Sequence, residues 1–322
     1  MSVTLAEIEA AAGRLAGATV VTPLIESPAL NERVGGRVLI KPETLQLGGS
    51  FKLRGALNRI AQLTDEEKAR GVVAFSSGNH AQGVAIAARK VGTSALIVMP
   101  SDAPAMKIEA TRGYGAEIRF YDRYAEDRAA IARDIAAERG CVVVPSYDDE
   151  HVIAGQGTIG LELVRQAGTH LDYVISPVGG GGLIGGIGTA VKALSPNTAV
   201  IGVEPKDFDD ALRSLQAGTP QSIDSSARSI CDALQAPSPS ELTLSVMMKV
   251  VADVLLVSDA EVAEAVRYAF ATLKLVVEPG GAVALGALLS GKLDLGGRTA
   301  GIVLSGGNVD AALFASILAG EV

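Results

Sequence analysis

Cysteine is scarce in this chain: Cys141 and Cys231 are the two present among 322 residues, ninety positions apart and in apolar or helix-like surroundings. They make no metal-ligand spacing and read as reduced, buried thiols of a cytosolic protein. Basic side chains are also in deficit, 28 Lys and Arg against 36 Asp and Glu, for a net charge of -8. That balance argues against nucleic acid or an anionic membrane as the main partner. No signal peptide is expected at the start either. The start, "MSVTLAEIEAAAGRLAG", has early acids and no basic segment before an apolar run, so it reads as an amphipathic helix. The charge-free run Tyr173 to Val191 is long enough to span a bilayer, yet it holds seven glycines and a proline. A buried strand, loop and helix in a soluble protein is the expectation there.

What is present is ample apolar material, 48% of the chain, enough for a large core in two domains or one large one. From residue 71 short apolar runs, "GVVAFS", "SALIVMP", "AEIRFYD" and "CVVVPS", alternate with helix-like segments "HAQGVAIAARKVG", "APAMKIEATRGYG" and "YAEDRAAIARDIAAERG". Four strands with three crossovers predict a compact parallel α/β unit over 71–147. A second series follows with strands "LDYVISPV", "AVIGVEP", "DVLLVS" and "TAGIVLSGG", helices between them, and an irregular stretch over 206–245. Residues 1–70 hold strands "RVLIKPE" and "TPLIES" but no complete domain. The expected architecture is therefore two open twisted-sheet α/β domains, a large one of 1–70 and 148–322 with a small one of 71–147 inserted. Ligands of such sheets bind in the cleft between them.

Three strand-to-turn stretches and one lysine carry chemistry. "DYVISPVGGGGLIGG" is a strand, a glycine run and a helix, whose amides and positive helix end suit a phosphate. Gly180, Gly182 and Gly185 also satisfy G-x-G-x-x-G, with Glu204 nineteen residues further on, as in a dinucleotide site. Glycines that merely permit close helix–sheet packing are the plain alternative. In "GGSFKLRGALNRI" Lys52 sits where the chain bends before an apolar helix. Desolvation there favours the neutral amine, which attacks an aldehyde to form a Schiff base, although a lysine reaching out to solvent is the ordinary case. "FSSGNHAQGVA" gathers hydroxyls, an amide and an imidazole at a turn suited to a carboxylate, or to a simple helix cap. "VLSGGNVD" ends a strand with Ser305.

Together these stretches resemble the pyridoxal-phosphate fold-type II enzymes, in the branch of the serine/threonine dehydratases, serine racemases and 3-hydroxyaspartate dehydratases. The matching motifs are "GGSFKLRGALN", "SSGNHAQGVA", "VIAGQGTIGLE", "PVGGGGLIGGI", "VVEP" and "VLSGGNVD", in family order and over most of the chain. The resemblance implies pyridoxal 5'-phosphate in the cleft, with Lys52 as its Schiff-base lysine and as the carrier of the substrate Cα proton. Phe51 is implied to pack on the ring, Asn79 to bond its hydroxyl, and Ser305 to meet its nitrogen. Gly179, Gly180, Gly181 and Gly182 would hold the phosphate, and Glu278 of "VVEP" joins the cofactor set. Ser76, Ser77, Asn79 and His80 would hold the substrate carboxylate, and Ser77 is the racemases' second proton carrier. Three positions depart from the pattern: Gly49 and Gly280 stand where threonines are usual, and Ala233 where glycine is common. A homodimer acting on a small amino acid is expected. A nicotinamide dehydrogenase and a non-catalytic amino-acid-binding regulator are the rival classes.

"VEPKDFDD" places acids at 204, 207, 209 and 210 as the chain leaves a strand. Oxygen ligands of that kind suit Mg²⁺, Mn²⁺ or Ca²⁺, and a solvated acidic loop is the alternative. The stretch resembles the racemase metal site, which implies Glu204, the Phe208 carbonyl and Asp210 as ligands. Arg128, by the same resemblance, approaches the substrate side of the cleft. A guanidinium takes a carboxylate bidentately, so 3-hydroxyaspartate would gain most from it; pairing with Glu126 or Asp127 is the alternative.

Overall fold

The computed structural model describes residues 3–103, 105–224 and 226–322. Met1 and Ser2 of the expected first helix, Pro104 of the expected 103–115 helix and Ser225 of the irregular stretch lie outside the described residues. Strands are β1 (Ile25–Glu26), β2 (Arg37–Pro42), β3 (Val72–Phe75), β4 (Ala95–Pro100), β5 (Glu117–Tyr121), β6 (Val142–Val143), β7 (Tyr173–Pro177), β8 (Ala199–Pro205), β9 (Asp253–Val257) and β10 (Thr299–Leu304). They form a six-stranded sheet in the order β1-β2-β10-β7-β8-β9 and a four-stranded sheet in the order β5-β4-β3-β6. Only β1, paired with β2, is antiparallel.

The sequence reason is plain in the strands themselves. "RVLIKP", "ALIVMP" and "TAGIVL" are apolar without alternation because helices cover both faces of each sheet. On the large sheet one face buries Val262, Val266, Val283 and Leu285, and the other Ile184, Ile187 and Ile159. The helix Lys52–Ile60 puts Leu53, Leu57 and Ile60 into the cluster of the small sheet, with Val72, Ile97 and Val144. The core beneath the small sheet thus draws on residues that precede 71.

The helix Pro279–Leu289 is not expected from the sequence, and two further stretches differ from that expectation. The 206–245 stretch contains a helix, Asp210–Ala217, and the start of another, Glu241–Val250. The helix expected over "DAEVAEAVRYAFATLKL" stays α only over Asp259–Tyr268. It widens to a π turn at Ala269–Leu273 and closes with Lys274 at φ 60°. That closure returns Leu275 and Val277 to the core while Lys274 stays outside. Tyr173 to Val191 is strand, loop and helix, as expected, and no described helix is long and apolar enough to cross a membrane.

Candidate active site

Between the two sheets lies a cavity of about 620 Å³. Its wall brings together Phe51, Lys52, Ser76, Ser77, Asn79, His80, Arg128, Gly179 to Gly182, Glu278 and Ser305. Every expected cofactor and substrate residue is thus in one place, while Glu204, Phe208 and Asp210 are not on this wall.

Lys52 opens its helix from a turn that only glycine makes cheaply. Gly49 has φ 70°, and a Cβ there would lie 2.5 Å from Asn308 Oδ1. The turn is fastened to the end of β10, where Ser50 bridges Gly306 and the Phe51 amide donates to the Ser305 carbonyl at 3.1 Å. The Lys52 ammonium donates to the Ser146 carbonyl at 2.9 Å and lies 5.1 Å from the Phe51 ring centroid. Burial pulls its pKa down to about 8, against a weaker opposing pull from Glu278.

The "SSGNH" turn ends β3 and starts the helix Asn79–Val91, which no side chain caps. Its first amides are therefore orphans that an anion can satisfy. Ser76 Oγ accepts the Gly78 amide at 3.2 Å. His80 Nε2 pairs with the Val144 carbonyl at 2.8 Å, and Nδ1 is buried without a protein partner. Burial, then the Lys52 charge, pushes His80 down to about 3, so the ring is neutral, with its proton on Nε2 and Nδ1 left as an acceptor. The imidazole has no donor to spare, and what His80 offers a carboxylate is its main-chain N–H.

Asn79 is held at both ends of its amide. Its Nδ2 donates to Glu278 Oε1 at 2.6 Å, and its Oδ1 accepts from Asn308 Nδ2 at 2.7 Å. One Nδ2 hydrogen remains for a ligand. Glu278, 2% exposed, is raised to about 7 by burial first and by Asp232 second. The glycine loop precedes the helix Gly182–Leu194, again without a side-chain cap. Tyr147 packs so closely on the loop that a Cβ at Gly180 would meet its ring at 2.4 Å. Arg128 begins the helix Arg128–Arg139 with its guanidinium 5.7 Å from the Phe75 ring centroid. Asp127 caps that helix through Ala129 and Ala130, and Glu126 accepts the Asp122 amide. Neither acid hydrogen-bonds to Arg128.

Residues 15–306 match the family described as pyridoxal-phosphate dependent enzyme. The chain belongs to that family. Among its relatives is an L-threo-3-hydroxyaspartate ammonia-lyase of Pseudomonas sp, 46% identical over 96% of this chain and 97% of that one. Another of the same name, from Saccharomyces cerevisiae, is 43% identical over 93% of this chain and 91% of its own. The structure of maize serine racemase superposes with a TM-score of 0.93 at 36% identity, covering 100% of this chain and 98% of that one. The fold is accordingly that of the fold-type II pyridoxal-phosphate enzymes.

The cleft fits the family's cofactor on its own chemistry. It offers an amine of lowered basicity, an uncapped helix start behind four glycines, an unspent Asn79 N–H, and the hydroxyl of Ser305, 3% exposed on the cleft wall. The dinucleotide reading of the glycine loop loses its ribose-binding acid. Glu204 is fully buried, and its carboxylate accepts from the amides of Ala211 and Leu212, both at 3.0 Å.

Two groups of site residues escaped the sequence reading. Lys107 donates to Asp232 at 2.5 Å across the cleft mouth, and the Tyr147 hydroxyl donates to the Ser238 carbonyl at 3.2 Å. Both contacts join residues ninety or more positions apart, so no local pattern marks them. Ala233 meets the departure at Gly280: a Cβ built there would lie 3.1 Å from the Ala233 methyl, so the small residue at one position accommodates the larger at the other.

Glu204, Phe208 and Asp210 cluster at the end of β8. Asp210 Oδ2 is buried with no partner. Burial, with Asp210 as the second cause, raises Glu204 to about 8, and burial raises Asp210 to about 7. Two carboxyls this reluctant to ionise, one with an empty oxygen, suit a cation. Among the described residues no group of three His, Cys, Asp or Glu side chains is disposed to hold a metal. Any cation here would depend on the Phe208 carbonyl and water.

Proposed function

We propose that the protein is a pyridoxal-phosphate-dependent ammonia-lyase of a small 2-amino-3-hydroxy acid, with 3-hydroxyaspartate as the preferred substrate. Net loss of water, then hydrolysis, gives a keto acid and ammonia. The observation that carries the reading is Lys52: a half-buried amine lowered to about 8, in one cleft with a phosphate-type loop and a carboxylate-type turn. The cofactor supplies the electron sink for charge at Cα. Lys52, freed from the Ser146 carbonyl, takes the Cα proton. Gly179 to Gly182 hold the phosphate, Asn79 and Ser305 fix the ring, and Phe51 lies beside it. The amides at Asn79 and His80, with the hydroxyls of Ser76 and Ser77, hold the α-carboxylate. Arg128, exposed on the cleft wall with neither neighbouring acid hydrogen-bonded to it, takes the second carboxylate of the acidic substrate. The relatives named for 3-hydroxyaspartate support that choice.

Glu204, the Phe208 carbonyl and Asp210 form a Mg²⁺, Mn²⁺ or Ca²⁺ site in this proposal, supported by the partnerless Asp210 oxygen. The proposal also includes the division into 1–70 with 148–322 and 71–147, a cytoplasmic location, and a homodimer. Exposed Leu45, Leu47, Phe270 and Val276 support the last. A second reading, racemisation or plain serine/threonine dehydration, is favoured by Ser77 on the same wall.

The test is an absorption spectrum, then an assay of keto acid and ammonia over serine, threonine and the hydroxyaspartate isomers. A Schiff-base band lost in Lys52→Ala is expected, with Arg128→Ala depressing hydroxyaspartate turnover selectively. A colourless protein that binds NAD overturns the enzyme class. Faster turnover of serine or threonine than of every hydroxyaspartate isomer overturns the substrate.

A further inference from the structure

Arg128 is poorly placed as a stabilising cation. It is the first residue of the helix Arg128–Arg139, at the positive end of that helix's dipole. Its neighbour Asp127 spends its carboxylate on the amides of Ala129 and Ala130, at 2.8 and 3.2 Å. Asp148, exposed on the same cleft wall, forms no ion pair with it among the described residues. What the guanidinium does meet is an aromatic face. Its Cζ lies over the Phe75 ring, 5.7 Å from the centroid, within the range of about 6 Å at which a ring quadrupole attracts a cation.

Phe75 is a well-fixed platform. It ends β3 opposite Val98 of β4, and the next amide, that of Ser76, donates to the Val98 carbonyl at 3.1 Å. Its side chain packs against the cluster of Val73, Val98 and Ala132. Phe75 and Arg128 both line the cleft, and Phe75 is the immediate chain neighbour of the Ser76–Ser77 turn assigned to the α-carboxylate. An arginine free in solvent samples many rotamers, and fixing one of them costs entropy when a ligand binds. A ring beneath the guanidinium removes part of that cost. Stacking also engages the face of the group and leaves its in-plane N–H donors for a carboxylate, where a salt bridge to a protein acid would have used them.

We propose that Phe75 is a specificity-determining positioning residue: its ring holds the Arg128 guanidinium at the cleft with its donors unspent, ready for the second carboxylate of a four-carbon diacid such as 3-hydroxyaspartate. Phe75 touches no reacting atom and acts through Arg128 alone. Serine and threonine, with one carboxylate each, are indifferent to it. This role rests on the acidic-substrate reading of Arg128.

The experiment measures kcat/KM of the holoenzyme for serine and for the 3-hydroxyaspartate isomer turned over fastest, and reads their ratio, in which any loss of folded protein cancels. Phe75→Leu should lower the hydroxyaspartate-to-serine ratio about two- to fivefold, the scale of one exposed cation–π contact, chiefly through the hydroxyaspartate KM. Phe75→Tyr, which keeps the ring, should hold the ratio. With Arg128→Ala already present, Phe75→Leu should change it no further. In parallel, the Arg128 Nε–Hε resonance of the ¹⁵N-labelled holoenzyme, assigned by its loss in Arg128→Lys, should move downfield when Phe75→Leu removes the ring current. An effect equal on both substrates, or one that persists without Arg128, overturns the proposal, as does a resonance that ignores the ring. Arg128→Ala separates the two ideas. If it lowers the ratio and Phe75→Leu does not, the proposal alone fails; if it leaves the ratio unmoved, the acidic-substrate reading fails and takes the proposal with it.

Discussion

Replacing Arg54 by methionine tests how much a buried charge network beside the reactive lysine stabilises the fold. Arg54 lies two residues beyond Lys52 on the same helix and is fully buried. Its guanidinium donates to Glu43 at 2.7 and 2.9 Å, to Glu162 at 2.6 and 2.9 Å, and to Thr158 and the Val20 carbonyl, both at 3.2 Å. Lys41 reaches Glu162 at 2.7 Å, so Glu162 keeps a cation when Arg54 is lost. Glu43, fully buried, would keep only the Thr22 hydroxyl at 2.7 Å. Removing one partner of a buried pair costs about 3–5 kcal/mol, and the stranded Glu43 charge places Arg54→Met at the upper end. Lysine at 54 satisfies one carboxylate but not two forks, so Arg54→Lys should lose about 1–3 kcal/mol. Urea unfolding followed by far-ultraviolet circular dichroism gives these differences, and Glu43→Gln added to Arg54→Met should recover part of the loss. A loss under about 1 kcal/mol, or a Glu43→Gln penalty that simply adds, refutes the reasoning.

Burial lowers Lys52 to about 8 from an ordinary 10.5, so between those values the unfolded chain holds more protons and stability rises with pH. Below pH 8 the penalty is complete. Lys52→Met should therefore raise the melting temperature of the cofactor-stripped protein at pH 7 and flatten that rise, as differential scanning calorimetry will show. Gly180→Ala forces a methyl to within 2.4 Å of the Tyr147 ring, and the loop shift should weaken pyridoxal phosphate binding about tenfold by fluorescence titration. Millimolar Mg²⁺, Mn²⁺ or Ca²⁺ should raise the melting temperature of the wild type but not of Asp210→Asn; equal shifts in both would remove the metal site.

Chemistry written into adjacent residues was legible, and chemistry assembled by folding was not. "GGSFK", "SSGNH" and "GGGG" each carry their own turn, donors and helix start, so their convergence on one cavity followed from three local readings. The Arg54 network joins positions 43, 54 and 162 on three elements, and nothing near Arg54 distinguishes it from a surface arginine. The helix Pro279–Leu289 is buried from Pro279 through Leu288 and has no polar face, so it shows no period to detect. Asp210–Ala217 was masked by the Ser-, Pro- and Asp-rich composition around it. The π turn at Ala269–Leu273 keeps a helical pattern in sequence, and only the return of Leu275 to the core reveals why the helix must end.

Strand β10 follows every other strand along the chain, yet it sits inside the large sheet between β2 and β7. The Lys52 turn is fastened to it through Ser305 and Gly306. A nascent chain therefore carries its reactive lysine unanchored while some 250 further residues are made, roughly 10–50 s at ordinary elongation rates. The small sheet, spanning 72–143, has all its strands long before then. The strands of the small sheet can therefore pair before β10 exists, and the Lys52 turn gains its anchor only when β10 slots in. Ribosome-bound chains stopped short of β10 would hold a formed small sheet and take up no cofactor.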